Sequence, residues 1–221
     1  MGHQFLPINL KMKDKSCLVV GGGKAALRKI AVLLDYGCKL TVIAPEFEQQ
    51  IEYYAQKEFL KIIKRPYQSP EAGAFDIAVA ASNDVALNEQ IAKDCRKMKV
   101  PVNIINVPEL CDFTFPAVLR RDCLTVSVST DGEAPFLAGQ LRVILETLFP
   151  DRWAKIAQTA SKYRKIATRK WGNNPDQRLR AYERFLSADW KKILEEMSDK
   201  EIDDYINRLA EGAVNKPQAE E

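Results

Sequence analysis

Three consecutive glycines, Gly21, Gly22 and Gly23, constrain the fold of this chain more than any other feature of its sequence. They follow a short apolar run at residues 17–20. They precede a stretch, residues 25–34, in which apolar residues recur at helical spacing. A buried strand, a glycine turn and an amphipathic helix in this order predict a unit in which the helix packs back onto the strand.

The alternation of strand and helix patterns continues to residue 107. Apolar runs predict strands at residues 17–20, 39–44, 60–63, 76–81 and 102–107. Amphipathic periodicity predicts helices at residues 25–34, 45–57 and 84–97. Such an alternation favours an α/β fold with a parallel, Rossmann-type sheet that is covered on both faces.

The pattern changes near residue 108. Two strand-like pieces at residues 113–118 and 124–129 flank the polar triplet 120–122, and the second alternates apolar and polar residues. A helix is predicted at residues 134–149, and the chain from residue 151 onward has helical patterning. A small β segment followed by a helical C-terminal domain is therefore expected.

The glycine turn has the spacing G-x-G-x-x-A, which is the dinucleotide fingerprint when it lies between a strand and a helix. Gly21 permits a tight turn, Gly23 permits close approach of the backbone to a pyrophosphate, and Ala26 is small enough for close packing. The helix that begins at Lys24 and Ala25 offers unpaired N–H groups to the phosphates. The alternative is a glycine-rich turn that binds no ligand.

The fingerprint expects an acid at the end of the second strand, where it would hold the adenosine ribose. The chain has Ala44, Pro45 and Glu46 there, so Glu46 is a displaced candidate. No arginine lies beside it to hold a 2′-phosphate, which favours NAD over NADP. The residues at the end of the fourth strand are predicted to face the nicotinamide; they are Ala81, Ser82 and Asn83.

Composition excludes several classes of protein. The net charge is only +3, from 33 basic and 30 acidic residues, which argues against a nucleic-acid-binding tail. No apolar run reaches the length of a membrane span or of a secretory signal, so a cytoplasmic protein is expected. Five scattered cysteines without a CxxC pair and a single histidine, His3, predict no metal site.

Several motifs together resemble a known family. They are Gly21-Gly22-Gly23 with Ala26, Arg28 and Lys29; Ala80-Ala81-Ser82-Asn83-Asp84; Val102-Asn103; Cys111-Asp112-Phe113; Phe115-Pro116-Ala117; Val126-Ser127-Val128-Ser129-Thr130; and Ala134-Pro135 with Leu141-Arg142. The chain is similar along most of its length to the precorrin-2 dehydrogenase and sirohydrochlorin ferrochelatase family. That family includes the N-terminal part of bacterial siroheme synthase.

The resemblance implies NAD-dependent oxidation of precorrin-2 to sirohydrochlorin in siroheme biosynthesis. It also implies a homodimer with an NAD-binding domain at residues 1–112, a dimerisation segment at 113–149 and a helical domain at 150–221. It places Asn103 among the cofactor-binding residues. Ser129 and Thr130 fall in a segment that lines the active site of the family, where Thr130 is a catalytic candidate and Ser129 a substrate-binding one.

One position departs from the family. Better-known members have an aspartate, implicated in both dehydrogenation and chelation, where this chain has Asn106. An amide is no general base and is a poor ligand for ferrous iron, so chelatase activity is doubtful. Water, a substrate carboxylate or Asp112 would then accept the proton. Alternatively, Asn106 has only a backbone role and the family aspartate is dispensable.

The substrate is a polycarboxylate, so a basic site is expected. Residues 151–192 contain 12 basic and 4 acidic residues, a local charge of +8. This segment is either a docking surface or a solvated helical face. Arg28 and Arg142 are further candidates, because a guanidinium pairs with a carboxylate through two hydrogen bonds. The competing functions are a bifunctional dehydrogenase and chelatase, a non-catalytic sensor of NAD or tetrapyrrole, and nucleic-acid binding through the basic helices. The helical spacing of the aromatic residues in that segment favours a packed helical domain over nucleic-acid binding.

Overall fold

The computed structural model describes residues 5–213 and contains two compact units. Within this range, the first unit comprises residues 5–115 and 131–133, and the second comprises residues 116–130 and 134–213. The division of the chain into three domains therefore stays a prediction. His3 lies outside the described residues.

The first unit has a five-stranded sheet with the order β3-β2-β1-β4-β5, and every pairing is parallel. The predicted α/β fold with a Rossmann-type sheet is thereby confirmed. Its elements are β1 (Ser16–Val20), α1 (Lys24–Leu34), β2 (Lys39–Ala44), α2 (Gln49–Gln56), β3 (Lys61–Lys64), β4 (Ile77–Ala80), α3 (Val85–Met98) and β5 (Val102–Ile104).

Alternate side chains of the strands form two separate cores, one on each face of the sheet. Val19 and Val42 pack with Ile30 of α1 on one face. Leu18 and Ile43 pack on the other face, where the cluster includes residues of α3. Burial on both faces explains why the strands are continuous apolar runs rather than alternating patterns.

Two predicted boundaries in this unit are wrong. Helix α2 begins at Gln49 rather than at residue 45, because the chain between them packs on the glycine turn and the Glu48 N–H donates to the Gly22 carbonyl at 2.8 Å. Strand β5 ends at Ile104 rather than at residue 107, because Asn106 has a φ of 60° and cannot continue an extended strand.

The second unit begins with an antiparallel hairpin and continues with five helices. Its elements are β6 (Ala117–Arg121), β7 (Leu124–Val128), α4 (Pro135–Leu148), α5 (Arg152–Trp171), α6 (Pro175–Leu186), α7 (Trp190–Glu196) and α8 (Asp199–Glu211). The prediction of a strand at residues 113–118 is wrong. Pro116 has no N–H to donate to a ladder, and the strand begins after it, so that Arg120 and Arg121 lie in β6 and the turn falls at Asp122.

The helices of the second unit share a core around Tyr163, Phe185 and Trp190. Three lysines of the basic segment form ion pairs with acids of α8. The pairs are Lys155–Asp199 at 2.6 Å, Lys162–Asp203 at 2.7 Å and Lys170–Glu211 at 2.9 Å. Part of the local charge of +8 is therefore neutralised inside the unit. Between residues 5 and 213, no helix is long and apolar enough to cross a membrane.

Candidate functional site

A cleft of about 810 Å³ opens where the carboxyl ends of β1, β2 and β4 meet in the first unit. Ligands of parallel α/β sheets bind at this edge. Eleven predicted cofactor-binding residues line the cleft: Gly21, Gly22, Gly23, Lys24, Ala25, Ala44, Pro45, Glu46, Ala81, Ser82 and Asn83. The predicted substrate-binding residue Arg28 lines it as well. The structure thus brings together residues that are separated by up to 62 positions in the sequence.

The three glycines of the turn have different structural roles. Gly21 has a φ of 126°, and a Cβ atom there would lie 2.3 Å from the Ala81 carbonyl oxygen. A Cβ atom on Gly22 would lie 1.8 Å from the Glu46 carbonyl oxygen. A Cβ atom on Gly23 would meet nothing within 4 Å. Two glycines are therefore required by packing against neighbouring strand ends, and the third faces open space.

The N-terminus of α1 is open to an anion. Helix α1 begins at Lys24, and Gly23 at its N-cap supplies no side-chain hydrogen bond. The first turn contains no acidic residue. The free N–H groups and the positive end of the helix dipole are therefore not satisfied by a side chain. Together with the space at Gly23, they form a cradle that fits a pyrophosphate.

The loop after β4 is held by a residue that the sequence did not single out. Asn88 is buried in α3, donates to the Ser82 carbonyl at 2.9 Å and accepts from the Ser82 N–H at 3.3 Å. The Ser82 hydroxyl accepts from the N–H of Asp84 at 3.0 Å. Asn88 thereby fixes the backbone of a residue that lines the cleft.

An apolar wall forms another part of the cleft, and its residues were not predicted from the sequence as part of the site. It consists of Ile43, Pro66, Tyr67 and Leu87. The Tyr67 hydroxyl donates to Asp94 and accepts from the Ala72 N–H at 3.2 Å. Burial of the ring raises the pKa of Tyr67, and the hydrogen bond to Asp94 adds to this effect, whereas the bond from the Ala72 N–H opposes it. The ring is therefore a neutral, fixed surface of the wall.

The remaining predicted cofactor residue, Asn103, lies in β5 and is not among the cleft residues. Its side chain is buried and donates to the Phe113 carbonyl at 2.9 Å. This bond holds the segment that follows β5 alongside the strand. Asn103 thus has an evident structural role at the edge of the sheet.

The two catalytic candidates of the first unit lie around β5. Asn106 is exposed in the turn after the strand, with the left-handed backbone that asparagine tolerates well. The Asp112 carboxylate accepts from the Val102 N–H at 3.0 Å through Oδ2. Val102 is the first residue of β5, so this oxygen is engaged at the amino end of the strand.

Three further candidates belong to the second unit. The Thr130 hydroxyl accepts from the N–H of Ala134 at 3.1 Å, just before α4. Ser129 directly follows β7. Arg142 forms an ion pair with Glu146, one turn along α4. Thr130 and Arg142 therefore both have partners within their own unit.

No group of three or more histidine, cysteine or acidic side chains that could hold a metal ion is found within residues 5–213. The cysteines in this range are free thiols, and Cys123 is exposed.

Comparison with known proteins agrees with this arrangement. The family model described as "Putative NAD(P)-binding" matches residues 8–117. The chain is 40% identical over 160 residues to the siroheme synthase of Methylococcus capsulatus, which covers 72% of this chain and 34% of that protein. It is 31% identical over 217 residues to the siroheme synthase of Nitrosospira multiformis, which covers 96% of this chain and 46% of that protein. The chain thus spans less than half the length of these relatives.

A solved structure shares the fold. The structure described as "SirC, precorrin-2 dehydrogenase" superposes with a TM-score of 0.71 at 22% identity and covers 94% of this chain and 100% of that one. The likeness includes the helical part as well as the sheet, because nearly the whole chain is covered.

The parallel sheet, the glycine turn and the match over the first unit define an NAD(P)-binding protein of the Rossmann type. Within that class, the chain belongs to the siroheme synthase family and spans less than half of the length of these members. The family resemblance predicted from the motifs is confirmed.

Proposed function

We propose that this protein oxidises precorrin-2 to sirohydrochlorin with NAD as the hydride acceptor. One observation carries the proposal: eleven residues that were predicted to bind a dinucleotide line a single cleft at the carboxyl edge of the sheet. The names of the relatives, siroheme synthase and precorrin-2 dehydrogenase, supply the substrate class.

Each part of the cleft has a role in holding the dinucleotide. Gly23 and the N-terminus of α1 receive the pyrophosphate, since both are open and uncapped. Glu46, exposed at the end of β2, accepts from the adenosine ribose. The wall that contains Tyr67 covers the adenine, and Asn83 lies on the nicotinamide side.

The oxidation removes one hydride and one proton from the tetrapyrrole. NAD, when bound, supplies the electrophilic ring that takes the hydride. The proton is transferred to a base. Asp112 is the predicted protein acceptor, but its carboxylate accepts from the Val102 N–H at the amino end of β5, whereas the cleft opens at the carboxyl edge of the sheet. Water or a substrate carboxylate is therefore the acceptor that we propose, because the Asn106 amide cannot accept a proton.

Iron insertion is a weaker function of this chain than dehydrogenation, in our proposal. Asn106 supports this proposal, because it is an amide at the position where the family resemblance implies a carboxylate, and an amide is a poor ligand for ferrous iron. The left-handed backbone at this position suits asparagine and aspartate alike, so the geometry permits either residue. The bifunctional alternative is tested directly by replacing this residue.

A second copy of the chain is the partner that we assign to α4. The helix exposes a large apolar surface, and soluble monomers rarely expose so much. Its exposed apolar side chains are Phe136, Leu137, Leu141, Val143, Ile144 and Leu148. It packs on a hairpin of only two strands, which is marginally stable by itself. Sedimentation at micromolar concentration should give a dimer, and Phe136→Glu with Ile144→Glu should give a monomer.

We assign the protein to the cytoplasm. Cys123 is exposed and has no disulfide partner in the described part of the chain. Such thiols persist in a reducing compartment. Cell fractionation with an antibody against the native protein tests this assignment.

Anaerobic incubation with precorrin-2 and NAD tests the main proposal. NADH and sirohydrochlorin should form together, as followed by their absorbance. A protein that binds NAD but forms no NADH would instead support the sensor function. Ferrous iron is then added to the product, and iron insertion as fast as dehydrogenation would favour the bifunctional alternative.

A further inference from the structure

Lys29 is a half-buried cation in the second turn of α1. Its ammonium lies 4.3 Å from the centroid of the Phe115 ring. A cation above an aromatic face is attracted by the ring quadrupole, although more weakly than by a carboxylate. The contact fixes the lysine side chain but does not neutralise its charge.

The surroundings of Lys29 disfavour its charge. Within residues 5–213, no ion pair joins it to an acidic side chain. Burial, and then the positive charge of the neighbouring Arg28, lower the pKa of Lys29. Charged groups inside proteins are normally paired, and this one is instead placed beside a second cation. An anion bound between Lys29 and Arg28 would compensate the burial of the Lys29 charge and reduce the repulsion between the two cations.

The position of Lys29 indicates which anion it meets. It lies five residues after Lys24, so its Cα atom is about 8 Å along the axis from the start of α1, in the second turn rather than at the anion-binding end. Arg28 lines the dinucleotide cleft. Phe115 and Ile105 pack on the same core face as α1. Lys29 therefore lies between the cleft and the chain that follows β5.

We propose that Lys29, together with Arg28, binds a carboxylate of the tetrapyrrole and so positions the substrate beside the dinucleotide. This inference rests on the proposed function, which supplies a polycarboxylate substrate. The Phe115 ring holds the ammonium in place before the substrate arrives, so that little side-chain entropy is lost on binding. Charge-assisted hydrogen bonds to a carboxylate are the strongest contacts that a lysine makes.

Binding and kinetics of Lys29→Met and Lys29→Arg test the proposal. Methionine keeps the apolar stem and loses the charge, whereas arginine keeps the charge. The Lys29→Met variant should raise the KM for precorrin-2 about tenfold to a hundredfold and leave the Kd for NAD within about twofold. The Lys29→Arg variant, which keeps the positive charge, should have a KM for precorrin-2 much closer to that of wild type. The matched control is Lys93→Met, which removes an exposed lysine from α3 and should change neither constant.

A binding experiment separates this inference from the proposed reaction. The fluorescence of uroporphyrin, a polycarboxylate porphyrin, reports binding without turnover. Weaker binding by Lys29→Met than by wild type supports the inference even if wild type forms no NADH. Equal binding by both proteins overturns it, as does a wild type that does not bind the porphyrin. A loss of NAD affinity in Lys29→Met would assign Lys29 to the dinucleotide and also overturn the proposal.

Discussion

The hydroxyl of Tyr67 donates to the carboxylate of Asp94 at 2.9 Å, and this bond fixes the Tyr67 ring in the wall of the cleft. Asp94 is buried and also accepts from Ser69 and Gln90, each at 2.9 Å. The network joins the chain after β3 to the middle of α3. It fixes an aromatic face at the position that we assign to the adenine.

Two substitutions of Tyr67 should have separate effects. Tyr67→Phe keeps the ring but leaves the Ala72 N–H without its acceptor, so it should lower the free energy of unfolding by about 1–2 kcal/mol and leave NAD binding unchanged. Tyr67→Leu removes the aromatic face and should weaken AMP binding about threefold to tenfold. Calorimetry with AMP and with nicotinamide mononucleotide checks this assignment. Equal weakening of both ligands would place the adenine elsewhere.

The glycine turn predicts opposite outcomes for two neighbouring substitutions. Gly23→Val places a side chain in open space, so the protein should fold with an unchanged melting temperature and lose most of its affinity for NAD. Gly22→Ala drives a Cβ atom into the Glu46 carbonyl and should destabilise the first unit by about 1–3 kcal/mol or more. Thermal unfolding and NAD titration of both variants distinguish the roles. If the Gly23→Val protein binds NAD as tightly as wild type, the pyrophosphate does not bind at Gly23 and the N-terminus of α1.

The parts of the site that the sequence predicted are local in the chain. The turn at Gly21 and the strand ends at Glu46 and Ser82 follow from short patterns, because a parallel sheet brings all carboxyl ends to one edge. Tyr67 was missed because its role depends on Asp94, 27 residues away, and no periodicity marks such a pair. The strand predicted at residues 113–118 failed because an apolar run does not reveal that Pro116 precedes the ladder.

Asn88 should be required for the shape of the cleft. Asn88→Ala leaves the N–H and carbonyl of Ser82 without their partner and should cost about 1–3 kcal/mol of stability. It should also weaken NAD binding, because the backbone of Ser82 lines the cleft. Urea denaturation and NAD titration give the two effects. As a control, Glu89→Ala changes the exposed neighbour on α3 and should alter neither quantity.

Protonation of Asp76 at low pH should lower the folding stability of the first unit. Hydrogen bonds from the N–H and the hydroxyl of Ser16, each at 2.8 Å, and from Lys15 lower the pKa of Asp76 from 3.8 to about 2. A carboxylate with a depressed folded-state pKa stabilises the fold above its unfolded pKa, and this stabilisation is lost as the pH falls from about 4 to about 2. Wild type should exceed Asp76→Asn in urea midpoint at pH 7, and the difference should shrink near pH 2. If the difference in urea midpoint between wild type and Asp76→Asn does not change with pH, it arises from packing and not from the charge of Asp76.

Asn106→Asp tests the division between dehydrogenation and iron insertion. Aspartate tolerates the left-handed backbone, with its φ of 60°, about as well as asparagine, so the variant should fold with a stability within about 0.5 kcal/mol of wild type. The added carboxylate supplies a hard oxygen ligand and a proton acceptor at the turn after β5. Iron insertion into sirohydrochlorin should rise, and the rate of NADH formation should stay the same or increase. Asn106→Ala provides the control, since it removes the amide without adding a ligand. If the alanine variant inserts iron as fast as the aspartate variant, residue 106 does not decide chelation.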